Sequence, residues 1–310
     1  MPLAKKHAGF ADYSLLTTLA FIWGSAFLLS KVAVAEVPPI TITLIRQLLA
    51  GILLGGLVII LRRNWFRPAQ RDWIFIWVCA LTGTILPFTL INWGVAVIDS
   101  GLAAILMGLM PLVVLVLAHF VTDDEKLSAP KVAGVLLGIA GLAVLFWPQI
   151  GGAMGDNLIR QVAVLGAAVA YAINALSIKQ LLRHPPLVLT AYITLATWLL
   201  LVPASFLFEN PLAIRPTGDV TLALIALGIL PTAVGALLMF AIIDRQGASF
   251  FGQINLLVPV AGVLLGAVFL GERPGWNALA ALVIIVAGVV VARLKFGLPD
   301  PRPKEESSTP

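Results

Sequence analysis

The chain has 310 residues, 60% of them apolar and only 11% charged, with a mean hydropathy of +1.02 and a formal net charge of +5. Soluble domains carry about 25% charged residues, so this composition excludes an ordinary water-soluble fold and leaves a chain that crosses a membrane many times. Cys79 is the one cysteine and sits in an apolar run, which excludes an internal disulfide and a cysteine-rich metal site.

In chain order, Lys5, Lys6 and His7 precede the first apolar stretch. That stretch runs from Tyr13 to Ser30 without a charge and without a cleavable small-residue end, so it reads as a first span and not as a leader. Ten spans are predicted: Asp12–Ala35, Pro39–Leu61, Asp72–Ile98, Gly101–Val121, Pro130–Trp147, Leu158–Leu182, Leu187–Phe208, Gly218–Ile243, Ala248–Leu270 and Gly275–Arg293. The loops are short, which leaves no room for a domain outside the membrane. Residues 294–310 are rich in Pro and charge and read as a disordered cytoplasmic tail.

With ten spans both termini share one side. That side collects Lys5, Lys6, the Arg62–Arg71 cluster, Lys126, Lys131, Lys179, Arg183, Arg245, Arg293 and the tail, whereas the other side receives Lys31, Arg160, Arg215 and Arg273. Basic residues concentrate on cytoplasmic loops, so both termini are expected in the cytoplasm. The basic balance then speaks for orientation and against nucleic acid.

The chain repeats itself. Trp23 and Lys31 match Tyr171 and Lys179, each pair separated by 148 residues. Pro38-Pro39 matches Pro185-Pro186, Ile85-Leu86-Pro87 matches Ile229-Leu230-Pro231, Pro111 matches Pro259, and Ala140-Gly141 matches Ala287-Gly288. The repeats cover residues 12–147 and 158–293. Each holds five spans, an odd number, so the second must enter the membrane in the opposite sense.

Pro87, Pro111, Pro231 and Pro259 each remove a backbone hydrogen bond within a span. They mark kinks in spans three, four, eight and nine, serving either as fixed bends or as hinges about which the repeats rock. Gly51 with Gly55, Gly134 with Gly138, and Gly262 with Gly266 have the four-residue spacing that lets helices approach closely.

No Walker A loop, His-Glu-x-x-His zinc motif or Gly-x-Ser-x-Gly elbow is present. No catalytic residue, metal site or cofactor is therefore assigned, and the chain is not read as an enzyme. A membrane enzyme acting on lipids would show clustered Asp or His at a membrane face, and a scaffold or receptor would need a sizeable loop. All acidic residues fall at span ends, in loops or in the tail. Ion-coupled carriers normally rely on carboxylates inside the bilayer, so the expected mode is downhill, or coupled through a less obvious group.

Candidate cavity residues share helix faces. Trp23 and Phe27 lie one turn apart in span one, and Tyr171 and Asn174 form the matching face of span six. Phe88 and Asn92 follow Pro87, Met107 precedes Pro111, and Gln253 and Asn255 precede Pro259. Each amide could equally serve as an interhelical hydrogen bond. Arg46 is the only charge well inside a span. It has two readings: snorkelling to the headgroups, or a charge at the cavity mouth that meets a substrate carboxylate. Lys31 and Lys179 are expected to snorkel, and Glu125 and Glu272 to serve as loop or cap residues.

Trp23-Gly24-Ser25 with Lys31, Arg46-Gln-Leu-Leu-Ala, Pro111 followed by Glu125, and Pro259 followed by Gly271-Glu272 together resemble the EamA-type members of the drug/metabolite transporter superfamily. One departure is Asp124-Glu125, where the family pattern has Gly-Glu. The resemblance implies an all-α integral membrane fold, ten transmembrane helices as two inverted five-helix repeats around a central cavity. It also implies a monomer in the bacterial inner membrane that exports small molecules by alternating access. Within the family the chain is similar to exporters of amino acids, aromatic ones included, that also pass cationic drugs. A sugar-phosphate or nucleotide-sugar carrier of the same fold is the alternative, although it would want several basic residues in the cavity.

Overall fold

The structure is a computed structural model that describes residues 8–122, 126–147 and 156–294. Lys5, Lys6, His7, Asp124, Glu125 and the tail from Lys295 lie outside them. The described residues form ten apolar helices. In chain order these are α1 Phe10–Ala33, α2 Pro39–Ile60, α3 Gln70–Val95, α4 Ser100–Val121, α5 Ala129–Phe146, α6 Asn157–Leu181, α7 Pro186–Phe208, α8 Gly218–Gln246, α9 Ala248–Leu270 and α10 Trp276–Ala292. α10 has 17 residues and is the shortest, about 26 Å at 1.5 Å per residue, which still approaches the hydrocarbon thickness.

Helix is the expected outcome for such segments, because lipid offers no partner for backbone N–H and C=O groups. Starts and stops follow local chemistry. Proline occupies the first turn of α2, α5 and α7, where its missing N–H costs nothing. α9 stops at Gly271, whose φ of 65° is a left-handed position suited to glycine. Gly247, with φ 84°, separates α8 from α9.

The packing pattern exchanges the two halves of the chain. α5 packs on α10, α2 on α7 and α4 on α9, each helix against its own repeat mate. The other main contacts come as exchanged pairs: α1 on α9 with α6 on α4, α1 on α8 with α6 on α3, and α2 on α8 with α7 on α3. A two-fold axis relating the repeats produces this set. Mates run in opposite directions, so the repeats are inverted.

Close approach at small residues holds the symmetric pairs. A Cβ on Gly134 would strike the carbonyl of Gly288, one on Gly262 would strike Ala104, and one on Gly51 would strike Trp198. Gly55 has open space around it, so its spacing from Gly51 does not mark a contact.

The bundle ends are tied by charged residues. At the face where α1 starts, Asp12 accepts from Arg245 (3.0 Å) and Gln246 (2.8 Å). At the same face Asp72 meets Arg183 and His184. At the opposite face Glu272 accepts from the N–H groups of Ser100 (2.7 Å) and Gly101 (2.9 Å), so it caps α4 across the repeats. Glu209 does the same for Ile40 and Thr41 at the start of α2. Lys31 does not reach outward to headgroups; it donates to the Ile98 carbonyl (2.9 Å).

Candidate substrate site between the repeats

The site begins with a missing proton. Pro231 has no N–H to give the carbonyl of Leu227, four residues earlier. α8 widens there into a π-helical turn, Gly228–Val234. The Thr232 hydroxyl donates to the Leu227 carbonyl at 2.7 Å. The carbonyl of Pro231 itself accepts from Trp23 Nε1 at 3.1 Å. α3 repeats the device. A π-helical turn at Leu81–Ile85 precedes Pro87, and the carbonyl deprived of a partner is that of Gly83.

The other two helix-breaking prolines behave differently from each other. α4 is interrupted at Gly108 and Leu109, just before Pro111. α9 is interrupted at Gly252 and Gln253, well before Pro259, which sits inside a continuous helix. The carbonyl of Gly252 is taken by Asn255 Nδ2 (3.2 Å) and Arg293 Nη2 (2.5 Å).

Arg46 lies where α2, α3 and α8 meet, and it does not snorkel. It is only 6% exposed. Its Nε donates to the Thr232 hydroxyl at 2.6 Å, and its Cζ stands 3.7 Å above the centre of the Phe88 ring. That is a short cation–π contact. Phe88 in turn meets Tyr171 edge-on at 6.2 Å. Tyr171 also lies within electrostatic reach of the guanidinium. Among the described residues no carboxylate comes within ion-pairing distance of Arg46, and its Nη groups bond to no protein acceptor.

The structure therefore brings Arg46, Phe88 and Tyr171 together, with Trp23 held one residue from Thr232. Asn174, on the same helix as Tyr171, touches Gly83 and has no hydrogen-bond partner among the described residues. Asn92 is fully buried, and its amide is spent on the Pro39 carbonyl (3.3 Å) and the Thr43 hydroxyl (3.2 Å), tying α3 to α2. Phe27 is buried in the core beside Gly262. Met107 packs on that same core, and Gln253 and Asn255 lie at the interruption of α9. Thr232 was not among the sequence candidates. Its signal was its place directly after Pro231, where a hydroxyl can reach the carbonyl that proline frees.

A second polar space opens at the face bearing Glu272. It is a cavity of about 140 Å³ lined by Asp99, Leu102, Gln161, Glu272 and Asn277 among others. The side-chain oxygen of Gln161 is buried there without a hydrogen-bond partner among the described residues. Next to it α4 and α9 close on each other: Ala104 meets Gly262, Gly108 meets Pro259, and Glu272 clamps Ser100. These contacts belong to the first segment of α4, Ser100–Met107, and to Gly108 at its end. The second segment, Met110–Val121, packs on α5 and α6.

A family model for EamA-like transporters matches residues 12–147 and again 159–294. A probable terminal-alkyne amino-acid exporter of Streptantibioticus cattleyicolor is 30% identical over 79% of this chain and 80% of its own length. A probable amino-acid metabolite efflux pump of Salmonella typhimurium is 26% identical over 90% of this chain and 94% of its own. A crystal structure of a chain 23% identical in sequence superposes with a TM-score of 0.66, covering 91% of this chain and 97% of that one. That last likeness speaks to the fold.

Proposed function

The chain belongs to the EamA-like transporter family, and from that premise we propose that it exports amino acids and related small metabolites by alternating access. The observation that carries this reading is the uneven contact between α4 and α9. These repeat mates hold the helix interruptions, and they are clamped together at the face bearing Glu272, chiefly through Ser100–Met107 with Gly108. A two-fold arrangement has a second packing in which the opposite ends close, and exchanging the two moves an interior site from one face to the other. The amino-acid assignment draws on the names of the two relatives and on the aromatic rings beside the Arg46 guanidinium.

The face where α1 starts carries Arg62, Arg63, Arg67, Arg71, Arg183 and Arg245, and this concentration of basic residues supports a cytoplasmic position for that face, in a bacterial inner membrane. Asp12 and Asp72 are buried but sit in the first turns of α1 and α3, already paired. The lack of a carboxylate near the middle of any described helix supports transport down the substrate gradient.

The test is counterflow. Proteoliposomes holding the protein and unlabelled amino acids, with no ion gradient, should accumulate labelled amino acid from outside and release it again as the internal pool runs down. Folded protein that moves no amino acid faster than empty vesicles would sink the reading. A pH gradient that multiplies the initial rate would sink the uncoupled mode.

A further inference from the structure

We propose that Arg46 is a carboxylate anchor, so that the solutes carried through this site bear one free carboxylate. This rests on the transport reading and adds the chemical class of the cargo. Arginine keeps its proton under all ordinary conditions, so a buried guanidinium demands compensation. Here the protein supplies little of it. A neutral hydroxyl, Thr232, occupies Nε, and the Phe88 ring covers one face of the plane. The Nη edge is left, and it is the edge whose paired donors match the two oxygens of a carboxylate.

The surroundings narrow the class further. Other cations of the bundle are already engaged near its ends: Lys31 on the Ile98 carbonyl, Arg160 on Trp93, Arg183 on Asp72 and Arg245 on Asp12. One guanidinium balances a monoanion, whereas phosphate esters carry more charge than Arg46 alone can meet. A solute with a positive charge and no carboxylate would face an uncompensated cation across a low-dielectric gap. Cationic drugs, which the resemblance of the sequence suggests, should therefore be poor cargo.

The experiment is competition against labelled phenylalanine in counterflow, using the wild-type chain. The competitors are 3-phenylpropanoate, 2-phenylethylamine, methyl viologen and inorganic phosphate. The acid should compete at concentrations roughly 10- to 100-fold lower than the amine or the viologen, the range a lost charge-assisted hydrogen bond produces. Arg46→Gln should weaken the acid by a similar factor while the amine competes no worse than before and gains where it had been repelled, and Arg46→Lys should fall between for the acid, since it keeps the charge and loses the fork. An amine or viologen as potent as the acid overturns the anchor, and phosphate as potent as the acid overturns the carboxylate class. If Arg46→Gln does not fold, the wild-type series decides alone. If phenylalanine does not move, a labelled amino acid that does takes its place, with its deaminated acid and decarboxylated amine as competitors, and if no amino acid moves the transport reading falls. The anchor is then judged by thermal unfolding in detergent, where 3-phenylpropanoate must raise the midpoint and 2-phenylethylamine must not; no shift with the acid overturns it.

Discussion

At Pro231 the carbonyl freed in α8 belongs to Leu227, and the next residue, Thr232, turns its hydroxyl back to satisfy it. At Pro87, the mate of Pro231 in the first repeat, the next residue is Phe88, which offers a ring and no hydrogen bond. Both helices widen into a π-helical turn, so the backbone device is common to the repeats. The side chains that follow are not. Arg46 reads both at once, donating to the hydroxyl from one repeat and lying over the ring from the other. The pseudo-two-fold fixes where Arg46 sits between the repeats, and divergence after the two prolines fixes what surrounds it.

The glycines within the two widened turns, Gly228 and Gly83, give the largest expected effect. Gly228→Ala would set its methyl 2.6 Å from the Cβ of Leu49 and 3.2 Å from the Arg46 carbonyl. Neither of these can swing aside, and overpacking of this kind costs about 1–3 kcal/mol. Gly83→Ala meets the end of the Asn174 side chain, which can rotate away, so its cost should stay below ~1 kcal/mol. Unfolding midpoints in detergent measure the difference, and equal losses would mean that the two turns are equally tight.

Next come the residues after the prolines. Thr232→Val leaves the Leu227 carbonyl and Arg46 Nε without partners, a loss of about 1–3 kcal/mol that Thr232→Ser should largely recover. Phe88→Leu removes the ring beneath the guanidinium, worth about 0.5–2 kcal/mol. Recovery by Ser fixes the hydroxyl as the cause. Its failure would move the explanation to packing.

The smallest effects belong to the matched pair Trp23 and Tyr171. Trp23→Phe gives up the bond to the Pro231 carbonyl and should cost about 0.5–1.5 kcal/mol. Tyr171→Phe removes a hydroxyl that bonds to nothing among the described residues, so its effect on stability should stay within about 0.5 kcal/mol. A clear loss of transport in Tyr171→Phe without a loss of stability would point to a substrate contact for that hydroxyl.

Hydropathy and the doubled motifs were enough to read ten spans, their order and the inversion of the second repeat. The cause is physical: in lipid each segment must satisfy its own backbone, so local sequence decides helix and boundary almost unaided. The prolines could likewise be read as breakers, because a missing N–H is a property of the residue itself. Which consequence followed was settled by neighbours: π-helical turns at Pro87 and Pro231, an interruption at Gly108 before Pro111, and an unbroken helix through Pro259. Arg46 shows the same division. Its position two turns into α2 allowed both a headgroup and an interior role, since a long flexible side chain spans either distance. Only the packing of α3 and α8 against α2, which brought Phe88 and Thr232 within reach, decided that the charge turns inward.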